Sequence, residues 1–151
     1  MSYRRVLFLT ELRGDAGAAL PLIRRIAPAA ELLLVVARLP EGQFAWLAEE
    51  APGELHQAAV AWLDSLRDAT AGAAEQVEVQ LATDFVADKL AEIVEGAGID
   101  LLAAGSLPLS AIPVLADLRK RHALAVLWAA GTEGGDRPVT ELMCVALGAR
   151  T

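Results

Sequence analysis

The chain has little of what marks a secreted, membrane-bound or nucleic-acid-binding protein. Its one cysteine, Cys144, excludes an internal disulfide and a cysteine-based metal cluster, and fits a reducing cytoplasm. The 13 basic residues are outnumbered by 20 acidic ones, and the resulting net charge of −7 disfavours binding to nucleic acids or anionic membranes. No apolar run approaches the roughly 20 residues that a membrane-spanning helix needs. We therefore expect a cytoplasmic protein with neither nucleic acid nor membrane as a partner.

Glycine is absent between Gly105 and Gly131. Residues 99–106 form an apolar run that ends in Gly-Ser, which is typical of a buried strand and the turn after it. In a doubly wound α/β fold such a turn often holds phosphate, and small residues let the backbone N–H groups approach the anion. Here Pro108 and Pro113 remove N–H donors, and large aliphatic residues fill the same turn. The sequence favours a tight turn with Ser110 capping the next helix, and the alternative is that Gly105 and Ser106 hold one phosphate.

The length of 151 residues suits one domain, and the apolar runs alternate with helical patterns. Four short continuous runs are typical of strands buried on both faces of a parallel sheet, and a fifth run that alternates is typical of an edge strand. In chain order these runs are 6–9, 31–37, 77–81 (the alternating one), 99–104 and 123–128. The helical stripe that includes Trp62 and Leu66 is the longest in the chain and predicts that Trp62 lies in the core. The order predicts a doubly wound, five-stranded parallel sheet with right-handed crossovers.

Polar residues follow the first predicted strand, at the edge where such folds bind ligands. Thr10, Glu11, Arg13 and Asp15 lie within six positions of one another. Glu11 could accept a hydrogen bond from a base amino group or a ribose hydroxyl. The alternative is a solvated loop in which Asp15 caps the next helix.

No catalytic or metal-binding pattern is present. The two histidines, His56 and His122, have no histidine or cysteine partner three or four positions away, and no serine lies in a Gly-x-Ser-x-Gly turn. We expect no catalytic residue and no metal site, and hence no enzyme.

With these residues in view, the chain resembles the universal stress protein family over roughly residues 3–130. The segment from Asp100 to Ser106 is similar to the family's Asp-Leu-Ile-Val-x-Gly-Ser, and the short run 6–9 is similar to its first strand. The basic residues 119–122 before the last apolar run are also comparable. The resemblance implies the adenine-nucleotide α-hydrolase-like fold, with strand order 3-2-1-4-5. It also implies a homodimer, which we expect to form through the fifth strand and the C-terminal tail.

The chain departs from the pattern of the ATP-binding members of that family. Those members carry Gly-x-x-Gly, about nine residues and then Gly-Ser or Gly-Thr, and here Pro108 stands where the second glycine would fall. The family's Asp after the first strand, which meets adenine, is replaced by Thr10-Glu11. The resemblance thus implies a non-catalytic stress-response domain without a cofactor, acting through dimerisation or a protein partner. The alternative is an ATP-binding protein, with Mg²⁺ and weak ATPase activity, whose nucleotide meets Thr10, Glu11, Gly105 and Ser106.

Residues 1–131 form the predicted domain, and residues 132–151 are a linker followed by an extra C-terminal strand. The strand-like run is 142–147, after a glycine-rich stretch. Three accounts of it stay open: an extra strand at the edge of the same sheet, a strand that crosses to a partner subunit, or the first strand of a truncated second copy, as tandem members of the family would have.

Overall fold

The computed structural model describes residues 3–12, 19–38, 50, 52–82, 85–105, 107 and 111–129. Strands and helices alternate along them, as predicted. In chain order they are β1 (Arg5–Glu11), α1 (Leu20–Ile26), β2 (Leu32–Arg38), α2 (Pro52–Thr70), β3 (Gln76–Ala82), α3 (Ala87–Ala97), β4 (Leu101–Gly105), α4 (Ile112–His122) and β5 (Ala125–Ala129). The predicted linker and C-terminal strand lie outside the described residues.

The strands form one sheet in the order β3-β2-β1-β4-β5, and every neighbouring pair is parallel. The predicted order is confirmed. The chain first builds outward from β1 through β2 to β3, then returns to the other side of β1 for β4 and β5. The carboxyl ends of β1 and β4 therefore flank the point where the winding changes direction, which is where open α/β sheets place their ligand crevice.

Both faces of the sheet are covered. Within β1, Val6 and Phe8 contribute to an apolar cluster with α1 and α2, while Leu7 and Leu9 contribute to a second cluster with α3 and α4. All four side chains are fully buried. Burial on both faces explains why the central strands are continuously apolar, and each such side chain stabilises the fold by about 1.5–3 kcal/mol.

The α2 helix covers less of the core than its stripe predicts. Leu66 is buried, but Trp62 and Leu63 are only half-buried against the α1/α2 cluster. The neighbouring strand β3 is an edge strand, and along it exposed residues alternate with half-buried ones. A helix over the edge of a sheet has less surface to pack against, and the prediction that Trp62 lies in the core was therefore wrong.

At the amino ends of β1 and β4, Asp100 holds the start of β1. Its carboxylate accepts hydrogen bonds from the backbone N–H groups of Arg4 and Arg5, each at 3.0 Å. The Asp100 N–H donates in return to the Arg5 carbonyl at 2.9 Å, and the Arg5 Nε donates to the Ala97 carbonyl. The Asp of the family-like motif thus joins two strands at the edge opposite the ligand crevice.

Among the described helices, none is long and apolar enough to cross a membrane.

Candidate functional site

The candidate site lies at the carboxyl edge of the sheet, the edge where β1, β2, β3 and β4 end in Glu11, Arg38, Ala82 and Gly105. Strand register decides which residues meet there. Glu11 pairs with Arg38 across β1 and β2, and Thr10 pairs with Gly105 across β1 and β4. Three of the predicted site residues, Thr10, Glu11 and Gly105, are therefore brought together beside the switch point. The fourth, Ser106, lies outside the described residues.

Glu11 and Arg38 form a buried ion pair. Arg38 Nη2 lies 3.5 Å from Glu11 Oε2, and the two side chains are 6% and 8% exposed. Charges this far from water are costly unless they are paired, because desolvation offsets most of their mutual attraction. The carboxylate that the sequence offers to a ligand is therefore held by a residue of the chain itself.

A third side chain joins this pair. The Arg38 guanidinium carbon lies 5.1 Å from the centre of the Phe85 ring, within the range of a cation–π contact. Phe85 is itself buried and lies between the end of β3 and the start of α3. We call these three residues the Glu11–Arg38–Phe85 cluster. It links the segments at the ends of β1, β2 and β3.

The backbone around the cluster is also paired. The Leu12 N–H donates to the Arg38 carbonyl at 2.6 Å, which continues the β1–β2 contact past the end of the ladder. The Thr10 hydroxyl donates to the Glu11 carbonyl at 3.1 Å. Thr10 and Leu12 are fully buried. The alternative of a solvated loop is therefore wrong for Thr10 and Glu11, while Arg13 and Asp15 lie outside the described residues.

On the β4 side, the described part of the turn is apolar. Gly105 is buried at the end of β4, and Leu107 is half-buried against the cluster formed with α3 and α4. The α4 helix begins after Ala111, which makes no side-chain capping bond, and Pro113 stands in its first turn. Ser110, the cap that the sequence predicts, lies outside the described residues. The first turn of α4 also has one N–H donor fewer, because proline has none.

One residue of the basic run before β5, Arg121, contacts two helices. Arg121 lies 3.0 Å from an Asp88 oxygen of α3 and 3.1 Å from an Asp117 oxygen one turn back in α4. The hydrogen bond to Asp88, helped by the charge of Asp117, raises the pKa of the Arg121 guanidinium above its ordinary value. Its charge is therefore already used to join two helices.

Metal ligands do not come together in the part of the chain that the structure describes: it holds no group of three or more histidine, cysteine, aspartate or glutamate residues suited to a metal ion. His122 ends α4, and its buried Nε2 has no hydrogen-bond partner among the described residues.

Sequence reasoning missed Arg38 and Phe85. The signal for Arg38 was its position: it is the one charged residue of β2, at the end of six apolar residues and beside the end of β1. Phe85 gave no comparable signal, because its contact with Arg38 depends on how the segment after β3 folds back.

No protein-family model matches the sequence, and no curated protein matches it. Solved structures do match. Hypothetical protein MJ0577 superposes with a TM-score of 0.58 at 17% identity, over 85% of this chain and 96% of that one. A universal stress protein in complex with cAMP gives 0.54 at 20% identity, over 85% and 98% of the two chains. A protein of the universal stress protein family from Burkholderia pseudomallei gives 0.54 at 17% identity, over 85% and 97%.

The chain has the universal stress protein fold. At these identities the likeness establishes the fold alone, because one fold supports many functions. Relative to that fold, the Glu11–Arg38–Phe85 cluster occupies the carboxyl edge on the β2 side of the switch point, and Gly105 marks the β4 side.

Proposed function

We propose that this chain is a cytoplasmic stress-response domain with the universal stress protein fold that neither catalyses a reaction nor binds ATP, and that acts as a homodimer or through a protein partner. The observation that carries the proposal is the buried Glu11–Arg38 ion pair. It engages the carboxylate that a nucleotide base would otherwise meet at the end of β1.

The free energy needed to separate Glu11 from Arg38 supports this proposal. A base that takes the Glu11 carboxylate must draw it away from Arg38 and leave a buried guanidinium without its carboxylate. Removing one partner of a buried pair typically costs about 3–5 kcal/mol. At about 1.4 kcal/mol per tenfold change, the affinity for a base would fall by roughly two to four orders of magnitude.

The β4 side of the crevice supports the same conclusion. A phosphate cradle relies on free backbone N–H groups at a glycine-rich turn and a helix start. Here Leu107 packs on the apolar core, and Pro113 removes a donor from the first turn of α4. The residues present do not suit a triphosphate, and we derive no reaction through ATP and Mg²⁺.

The partner surface we propose is the outer edge of β5. In the described sheet, β5 has β4 on one side and no strand on the other. An edge strand presents unpaired backbone N–H and C=O groups, which a second copy of the chain can pair with. The C-terminal residues 132–151, where a further strand is predicted, would extend this contact.

A second candidate is an adenine-nucleotide-binding protein with an altered phosphate loop. Gly105 lies in register with Thr10 at the switch point, and one structure of the same fold is described as a complex with cAMP. Calorimetry with ATP and Mg²⁺, on protein shown to be free of co-purified nucleotide, separates the two candidates. We expect no binding at millimolar ATP. Micromolar binding would overturn the proposal in favour of the second candidate.

A further inference from the structure

Arg38 is the central member of the Glu11–Arg38–Phe85 cluster. Its guanidinium is held by the β1 carboxylate at 3.5 Å and by the ring of Phe85 at 5.1 Å. The whole residue is 5% exposed. Partners on two separate segments therefore fix this long side chain over the end of its own strand rather than letting it extend into solvent.

The position of Arg38 decides what fits beside β1. Arg38 ends β2, in register with Glu11 on one side and with Ala82 of β3 on the other. Neighbouring strands are about 4.8 Å apart, so a planar base bound at the end of β1 also needs room above the end of β2. At that position the Arg38 side chain extends from the end of β2 to Glu11 and to the ring of Phe85.

We propose that Arg38 is the specificity-determining residue of the carboxyl edge, and that its guanidinium, held between Glu11 and Phe85, excludes planar bases by filling the space above β2. This inference rests on the proposed function and names the side chain responsible for it. Two effects then act against a base at this edge. The charge of Arg38 holds the Glu11 carboxylate, and the volume of the Arg38 side chain fills the space above β2.

The test uses two double variants of the full chain, because removing one charge alone would leave the other buried without the opposite charge of this ion pair. Glu11→Gln with Arg38→Val removes both charges and most of the Arg38 volume, and it keeps an amide oxygen that can accept from a base. Glu11→Gln with Arg38→Met is the matched control: it removes the same charges but leaves a long unbranched side chain over β2. The probe is adenosine, which has a base but needs no phosphate cradle, and its binding is followed by ligand-observed NMR.

We expect the Val variant to bind adenosine at least tenfold more tightly than either the Met variant or the unaltered chain. Equal binding by the Val and Met variants would overturn the inference, because volume would then not matter. Absence of binding to both would also overturn it, and would leave the proposed function standing. The proposed function itself falls only if the unaltered chain binds ATP.

A further variant keeps the inference testable if the Val variant does not fold, as judged by circular dichroism. Glu11→Gln with Phe85→Ala removes the carboxylate and the ring that hold Arg38 in place, so that its side chain can leave the space above β2. We expect this variant to bind adenosine at least fivefold more tightly than the unaltered chain. No gain in a folded protein with both substitutions would contradict the inference.

Discussion

At the residue scale, two of the ion pairs among the described residues lie in opposite surroundings. The Glu11–Arg38 pair is buried, with both side chains under a tenth exposed, whereas Arg67 and Asp64 in α2 are 55% and 64% exposed at a separation of 3.6 Å. Coulomb attraction at an exposed site is weakened by water, and an exposed pair contributes little. A buried pair contributes little net stability as a unit, but it is costly to break from one side only.

This difference gives the first prediction. Glu11→Gln or Arg38→Leu alone should lower the free energy of unfolding by about 3–5 kcal/mol, and the double variant should lose less than either single one. Arg67→Leu, the control, should change it by less than about 1 kcal/mol. Urea denaturation of the unaltered chain, the two single variants and the double variant measures the coupling between Glu11 and Arg38. Additive losses from the two single variants would show that the side chains do not interact as the 3.5 Å distance indicates.

A second prediction concerns Ala123, the C-cap of α4. Its φ of 52° lies in the left-handed region, which costs a residue with a Cβ roughly 1–2 kcal/mol. Ala123→Gly should remove that cost. Because glycine gives the unfolded chain more freedom, the substitution should also lower the free energy of unfolding by about 0.4–1 kcal/mol, which leaves a net gain in stability of about 0.5–1 kcal/mol. The midpoint of thermal unfolding measures this gain. Gly98→Ala, at the matching cap of α3 with φ of 64°, is the control and should shift the midpoint downward. A lower midpoint for Ala123→Gly would contradict the prediction.

At the element scale, hydropathy patterning located every strand of the described sheet. Continuous apolar runs marked β1, β2, β4 and β5, and alternation marked the edge strand β3. The ends of the elements were harder to predict. The run 6–9 gave the centre of β1, but the strand begins at Arg5 and continues through Glu11, because β2 pairs with it along that whole length. Pairing with a distant strand leaves no mark on the local sequence. Glu11 was a candidate ligand residue because it follows the first predicted strand, whereas Arg38 was missed because the predicted run 31–37 ends one residue before it.

The link between β1 and β4 gives a prediction at this scale. Asp100→Ala removes the acceptor of two backbone N–H groups, from Arg4 and Arg5, and should lower the free energy of unfolding by about 1–3 kcal/mol, since hydrogen bonds to charged groups are stronger than neutral ones. Asp64→Ala, which removes an exposed carboxylate from α2, should change it by less than about 1 kcal/mol. Hydrogen exchange should also show faster exchange of the Arg4 and Arg5 amides in Asp100→Ala. Unchanged exchange would mean that Asp100 does not hold the start of β1.

At the scale of the whole molecule, the sheet has two edges with different character. The β3 edge alternates exposed and half-buried residues, and it includes charged Glu78. The β5 edge is apolar throughout its five residues. A charged, alternating edge discourages pairing with another chain, whereas an apolar one favours it. This difference between the two edges supports β5 as the edge through which the proposed dimer forms.

The dimer proposed to form through β5 should depend on salt concentration. Each chain carries a formal net charge of −7, so two copies repel each other at long range, and dissolved salt screens that repulsion over about 8–10 Å at physiological ionic strength. We therefore predict a dimer at micromolar concentration in sedimentation equilibrium, with a dissociation constant that falls as salt rises from about 50 to 500 mM. A monomer at about 100 μM would contradict it.

Val145→Pro tests the C-terminal residues: it should weaken the dimer if the predicted strand at 142–147 pairs across the interface, because proline removes a ladder hydrogen bond. An unchanged dimer in that variant would assign the contact to β5 alone.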